Sequence, residues 1–200
     1  MIYLGLDLGK QRDFTALAIV DQLPYNELGV RYLERAPLGT PYLRVVERVT
    51  SLSRHPILNG QCHLTVDGSG VGAPVEEALR KAQGGWRALT AVTITAGNHA
   101  RPASSSSYSG IGDRWNVPRR DLLSGLQILL EKGSLKIAAA LPETRALVRE
   151  LIRLRRNPTS PQPADPAGER EEHDDLVIAL ALACWQATRT KNGLGLNRIL

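Results

Sequence analysis

The sequence predicts an α/β fold: a mixed central sheet, in which an antiparallel three-strand meander is followed by parallel strands, with helices on its flanks. Three observations lead there. Ile2 to Leu8 alternates, with Ile2, Leu4, Leu6 and Leu8 on one face and Tyr3, Gly5 and Asp7 on the other, which is the period of a strand. Two more strand-like runs follow at once, Thr15 to Asp21 and Leu28 to Glu34, joined by short polar turns that suit antiparallel neighbours. Beyond them, strand and helix patterns alternate, the order that builds a sheet with helices packed on its faces.

Each later element has its own signal. Pro41 to Arg54 places Leu43, Val46, Val49 and Leu52 on roughly one helical stripe. His63 to Asp67 is a short buried strand, and Gly68 to Gly72 a tight turn. Pro74 opens a helix through Lys81, since a first helical turn tolerates proline. Leu89 to Thr95 is a strand rich in β-branched residues. Residues 97–116, polar and containing the run Ser104 to Ser107, are expected as a flexible loop. Arg119 to Lys132 is a helix with Leu122, Leu126, Leu129 and Leu130 on one face, stopped by Gly133. Leu135 to Ala138 reads as a short edge strand, and Pro142 to Arg156 as a basic amphipathic helix. Residues 157–170 are Pro-rich and expected as a second flexible loop. Glu171 to Thr188 is a final helix, apolar enough to be buried on most sides. No internal repeat is present, and 200 residues suit a single domain spanning 1–200.

Composition narrows the classes. With 42% hydrophobic and 22% charged residues the chain is globular rather than disordered. No apolar run approaches the ~20 residues of a membrane helix, and the N-terminus lacks the basic start of a secretory signal. A membrane partner is not expected. Cys62 and Cys184 have no ligand spacing around them and are expected as buried, reduced thiols in a cytosol-like compartment. Net charge is +5, unevenly spread. Residues 101–156 carry 11 basic and 5 acidic side chains, whereas residues 157–175 carry one Arg and six carboxylates. A cationic surface beside concentrated carboxylates suits a metal-dependent enzyme acting on a polyanion; a solvated helix followed by an acidic loop has the same pattern.

Three carboxylate positions fall where the chain could bring them together. Asp7 lies on the non-aliphatic face of the first strand, Asp67 ends a core strand before a glycine turn, and Asp174 and Asp175 open the last, very apolar helix. A buried carboxylate is costly unless it is paired, hydrogen-bonded or bound to a cation, so Asp7 is the most informative residue. Gly5, on the same face, would let a helix approach the sheet closely. An all-Asp set favours a hard ion with oxygen ligands, Mg²⁺ or Mn²⁺ rather than zinc. Alternatives stand beside this. Asp67 before Gly68 also fits turn chemistry, and Asp174 and Asp175, with Glu171 and Glu172, also fit a helix cap.

Other chemistries lack their patterns. Gly5 to Lys10 has the wrong spacing for a phosphate loop. His55, His63, His99 and His173 show no metal-ligand spacing, and no nucleophile elbow supports a Ser/His/Asp triad. His173, next to the acidic pair, could orient a water, stabilise a phosphate or sit in a local cap. Arg119, Arg120, Arg149, Arg153, Arg155 and Arg156 are candidates for phosphate contacts, with a solvated helix surface as the competing reading.

On these residues the sequence resembles the C-terminal nuclease domain of tailed-phage large terminases, which has the ribonuclease H-like fold. The stretches that carry the resemblance are LGLDLGKQRDFTALAIVD, LTVDGSGVGAPV, VPRRDLLSGLQILLEKGSLKI with LPETRALVRELIRLRR, and EEHDDLVIALALACW. They cover most of the chain in the right order. The closing His-Asp-Asp before an Ala/Leu helix, together with the central Asp-Gly-x-Gly-x-Gly, is its more specific part.

The resemblance implies a metal-dependent DNA endonuclease with a two-metal site for Mg²⁺ or Mn²⁺. Its ligands would be Asp7, Asp67 and Asp175, with Asp174 additional or water-mediated, and Asp13 and His173 in supporting roles. It further implies double-stranded DNA as partner, bound through Arg119, Arg120, Arg149, Arg153 and Arg156. A terminase ATPase motor domain, small subunit and portal would be protein partners, and the setting a phage or prophage protein in the bacterial cytoplasm. No Walker motif is present, so an excised nuclease domain or a stand-alone relative that does not translocate DNA by itself is expected. The basic turn reads Pro118-Arg119-Arg120 where such domains often have Pro-Lys. Three rival readings are a RuvC-like Holliday-junction resolvase, a small-molecule kinase of the actin-like ATPase group, and a non-catalytic DNA-binding relative.

Overall fold

The alternation seen at the N-terminus sets the sheet. In the computed structural model, which describes residues 1–9, 13–70, 72–103, 113–156 and 174–196 (without the side chains at 155–156 and 191–196), β1 (Ile2–Asp7) lies near the sheet's middle. It pairs antiparallel with β2 (Ala16–Gln22), which pairs antiparallel with β3 (Leu28–Arg35). On its other side β1 pairs parallel with β4 (Cys62–Asp67), and β4 with β5 (Trp86–Thr95). The meander followed by parallel strands is therefore the observed topology.

Helices cover both faces. α1 (Tyr42–Ser53) and α2 (Gly72–Ala82) lie over Leu4, Leu6, Leu17, Leu64 and Val66. The opposite face, carrying Tyr3, Ala18, Val20 and Val92, is covered by α5 (Asp175–Leu196), with α3 (Arg119–Glu131) and α4 (Thr144–Arg156) packed around it. From Leu176 to Ala183 every residue of α5 is buried, which is why that helix has no polar face to find in the sequence. Each fully buried leucine there is worth roughly 1.5–3 kcal/mol over an exposed one. Cys62 and Cys184 are buried, outside any disulfide, on opposite sides of the sheet, and burial pushes the Cys62 thiol up to about 11. Among the described residues no helix is long and apolar enough to cross a membrane.

The expected loop at 97–116 is corrected at both ends. β6 (Arg101–Pro102) and β7 (Arg114–Pro118) form an antiparallel pair, and β7 adds parallel to β5. RWNVP has little strand character by itself. It extends the sheet because Val117 is fully buried and Trp115 packs edge-on against Trp185, 5.8 Å between ring centroids. Residues 104–112, and the expected loop at 157–170, lie outside the described residues. β8 (Leu135–Ile137) is an edge strand as expected, parallel to β3. The last helix continues to Leu196 rather than ending at Thr188, and α4 starts at Thr144 rather than Pro142, behind a turn closed by Thr144 Oγ1 on the Ala138 carbonyl (2.9 Å).

The contact that orients the sheet against its main helix is at Gly5. A Cβ built there would lie 1.9 Å from the Ala179 carbonyl oxygen and 2.8 Å from the Ala183 amide nitrogen. Helix α5 thus rests backbone-to-backbone on β1, with small residues on both sides of the contact. Gly5→Ala should therefore cost about 3 kcal/mol or more in guanidinium unfolding, through overpacking against backbone that cannot yield. Gly125→Ala, on the exposed side of α3 with nothing within 4 Å of the added methyl, should gain up to ~1 kcal/mol. Equal effects of the two substitutions would contradict the close approach.

Candidate functional site

Two acids are delivered by strand ends. Asp7 closes β1 and Asp67 closes β4, and the parallel register that pairs Leu6 with Val66 sets them side by side on the face covered by α5. Asp67 does serve its turn: its Oδ1 accepts the Ser69 amide (2.8 Å), while the Gly68 amide bonds the Val92 carbonyl (2.8 Å). The turn is tight enough that a Cβ on Gly72 would sit 2.2 Å from the Asp67 carbonyl oxygen. Turn chemistry and site geometry are thus the same feature here, since the glycine turn fixes where the carboxylate stands.

Two more acids come from the start of α5. Because α5 rests on β1 at Gly5 and runs back along it, its first turn reaches the Asp7 end of the strand. Asp175 is buried at 6% exposure and is held by the Phe14 backbone amide. Asp174 is half-exposed and ion-paired with Arg119, the first residue of α3, while its carbonyl accepts the Ile178 amide (2.9 Å).

Charge couples these groups. The Asp7 carboxyl is raised well above the usual carboxylate range, first by desolvation and then by the like charges of Asp67 and Asp175, with a smaller contribution from Asp13. Arg119 is the cation that opposes this. Asp175 is pushed up to about 6 by burial and by Glu150 and Asp13, against the pull of Arg35 and the Phe14 amide. Burial lowers the Arg119 guanidinium, and Asp7 counters that. Asp7 therefore feels the charges of two carboxylates from distant parts of the chain in a poorly solvated place, an arrangement that raises its proton affinity or calls for a cation.

Among the described residues no three His, Cys, Asp or Glu side chains are gathered closely enough to ligate one ion in this structure. What links the acids is charge coupling rather than a closed cage. The donor set is nevertheless all carboxylate oxygen, the chemistry that suits Mg²⁺ or Mn²⁺, and a divalent cation would offset the like charges that add to the rise burial causes at Asp7. On that ground the residues fit such an ion.

The other expected positions divide. Asp13 is exposed in the turn after β1, within electrostatic reach of Asp7 and Asp175. His173 lies outside the described residues, as do the side chains of Arg155 and Arg156. Arg119 is separated from its neighbour: it turns into the acidic cluster, whereas Arg120 is exposed and bonds the Asn98 carbonyl (2.6 Å). Arg149 and Arg153 lie on the exposed side of α4.

Two residues that sequence reasoning passed over belong to this neighbourhood. Glu150, on α4, is 4% exposed, ion-paired with Arg35 at the end of β3, and accepts the Val177 amide (3.1 Å). Both carried a usable signal. Glu150 occupies the apolar stripe with Leu147 and Leu154, and Arg35 the strand face of Leu33, positions where a charge is out of pattern.

The comparisons agree with this architecture. No family model matches the chain. The large terminase subunits of Thermus phage G20c and Thermus virus P23-45 are each 28% identical to it over 183 residues, 92% of its length. The chain is similar to these phage large terminases along most of its own length. It spans about a third of the length of those relatives, 31% of each.

Among solved structures, the large terminase nuclease of phage G20c matches with a TM-score of 0.58 at 23% identity, covering 93% of this chain and 82% of that one. The human cytomegalovirus terminase nuclease domain, soaked with Mn, matches at 0.52 and 16%, covering 92% and 81%. The bacteriophage SPP1 large terminase nuclease domain with bound Mn matches at 0.51 and 15%, covering 92% and 85%. The fold is ribonuclease H-like, a mixed sheet flanked by helices.

The raised acids fix a pH dependence. An unfolded Asp titrates near ~3.9, while folded Asp175 titrates at about 6. Between those values the folded chain holds a proton that the unfolded chain has released, so this contribution to stability falls as pH rises. In chelator-treated buffer the stability difference between wild type and Asp175→Asn should therefore move against wild type from pH 4 to pH 6 and then level off. Thermal unfolding at several pH values measures it, and a difference that does not change with pH would contradict the shifted carboxyl.

Proposed function

We propose that this chain is a metal-dependent DNA endonuclease of the packaging-terminase kind, hydrolysing phosphodiester bonds with Mg²⁺ or Mn²⁺ held by Asp7, Asp67 and Asp175. The observation that carries this reading is the electrostatic coupling of acids remote in sequence: Asp7, raised first by burial, is raised further by the like charges of Asp67 and Asp175. Similarity to large terminases and likeness to nuclease domains described as Mn-soaked or Mn-bound support it.

A bound pair of such ions would activate a water and stabilise the charge developing on the phosphate and the leaving 3′ oxygen. The chain's own residues supply the rest. The strand ends and the glycine turn fix Asp7 and Asp67, and the first turn of α5 brings in Asp175. Asp174, paired with Arg119, would serve as an additional or water-mediated ligand, with Asp13, in the turn after β1, and His173 in supporting roles. Arg120, Arg149, Arg153 and Arg156 offer fork-shaped donors to DNA phosphates, contacts that position a duplex without reading its sequence. This role belongs to a phage or prophage protein acting in the bacterial cytoplasm, alongside an ATPase motor, a small terminase subunit and a portal.

Nicking of supercoiled plasmid in Mn²⁺ tests the assignment. Asp7→Asn and Asp67→Asn should each reduce nicking by on the order of 10²-fold or more, the scale of losing one electrostatic stabiliser of a transition state. Glu47→Gln, on the exposed side of α1, should leave it unchanged. Retained cleavage in the Asp7 and Asp67 variants would count against these residues as the site.

A further inference from the structure

The first turn of a helix leaves amide groups that need acceptors, and Asp or Asn at its start is the usual supplier. At α5 the two candidates have partners outside the helix. The Asp174 side chain turns to Arg119, and the Asp175 carboxylate is engaged by the Phe14 amide from the turn after β1. The acceptor comes instead from another helix: the Glu150 carboxylate takes the Val177 amide at 3.1 Å and also bonds the Leu176 amide.

Glu150 is itself fixed. Its other oxygen pairs with Arg35 Nη2, and the Arg35 guanidinium lies over the Phe14 ring, 4.9 Å from its centroid. Arg35, Glu150, Phe14 and Asp175 thus tie the end of β3, helix α4, the turn after β1 and the start of α5 into one unit, with Glu150 and Asp175 buried at its centre.

We propose that Glu150 and Arg35 are positioning residues for the acidic centre. Glu150 caps α5 from α4 and so releases Asp174 and Asp175 from capping, and Arg35 holds Glu150 in place while offsetting its charge beside Asp175. A buried charge pair of this kind adds little stability compared with an apolar replacement. Its value lies in fixing a geometry. Outer partners of metal-holding side chains commonly contribute about 10–100-fold in metal affinity.

This inference rests on the endonuclease reading, and its test reads metal binding directly. Free Mn²⁺ is titrated by electron paramagnetic resonance on the whole chain, with urea unfolding run in parallel. Glu150→Gln keeps the shape and one acceptor but loses the charge, and should bind Mn²⁺ about 10-fold or more weakly while unfolding cooperatively. Its nicking should recover toward the wild-type rate at saturating Mn²⁺, a split that a merely structural role would not produce. Arg35→Lys keeps the charge but loses the fork and the stacking on Phe14, and should weaken Mn²⁺ several-fold; it decides the matter if Glu150→Gln does not fold. Glu47→Gln should bind as wild type does.

Wild-type Mn²⁺ affinity in folded Glu150→Gln and Arg35→Lys overturns the positioning role alone, and so does a failure of both variants to fold. Absence of Mn²⁺ binding by the wild-type chain overturns the endonuclease reading and this inference with it.

Discussion

Helix α5 lies so close on β1 that no side chain fits between them at Gly5. That contact is what the arrangement of the acids depends on. It sets the height of the helix over the sheet and the direction in which it runs. It therefore brings Asp175, at the helix start, within electrostatic reach of Asp7, at the strand end. A larger residue at position 5 would lift the helix, and the acids would separate with it. The long apolar run of α5 supplies the driving force, and glycine together with Ala179 and Ala183 supplies the room.

The site built on that contact is electrostatically unfavourable as it stands. Asp7 is opposed by Asp67 and Asp175 in a place with little water, and among the described residues Arg119 acts against the repulsion on it. A fold optimised for stability alone would have no reason to gather like charges there. The strain is of the kind that a divalent cation relieves, and it accounts for an arginine at the start of α3 turning inward when its neighbour Arg120 turns out. Around this centre lies the compensating unit of Arg35 and Glu150, which meets the needs of the α5 N-terminus without drawing on the acids of the site.

Much of this was legible in the residues. The alternation of Ile2 to Leu8 isolates Asp7 on the face of Gly5, and both the facing helix and the close approach follow from it. The meander, the parallel strands and the acids at their ends were readable for the same local reason: each signal lies within a few consecutive residues. What escaped depended on tertiary partners. RWNVP becomes a strand only because β5 and the Trp185 ring receive it. Arg119 and Arg120 look alike in sequence and face opposite ways in the fold. Glu150 was hidden among the arginines of a basic helix, although its place on the apolar stripe marked it out. Asp174 and Asp175 read equally well as helix caps, and the Glu150 carboxylate that takes their helix's amides comes from another helix, beyond the reach of any local pattern.

The central claim is that Asp7, Asp67 and the start of α5 together grip divalent cations. Crystals soaked in Mn²⁺ and measured at the manganese absorption edge test it most directly. Anomalous peaks bounded by the carboxylates of Asp7, Asp67 and Asp175 are the result this account requires. A well-ordered Asp7 with no peak beside it, or peaks confined to other acids on the surface, would contradict it.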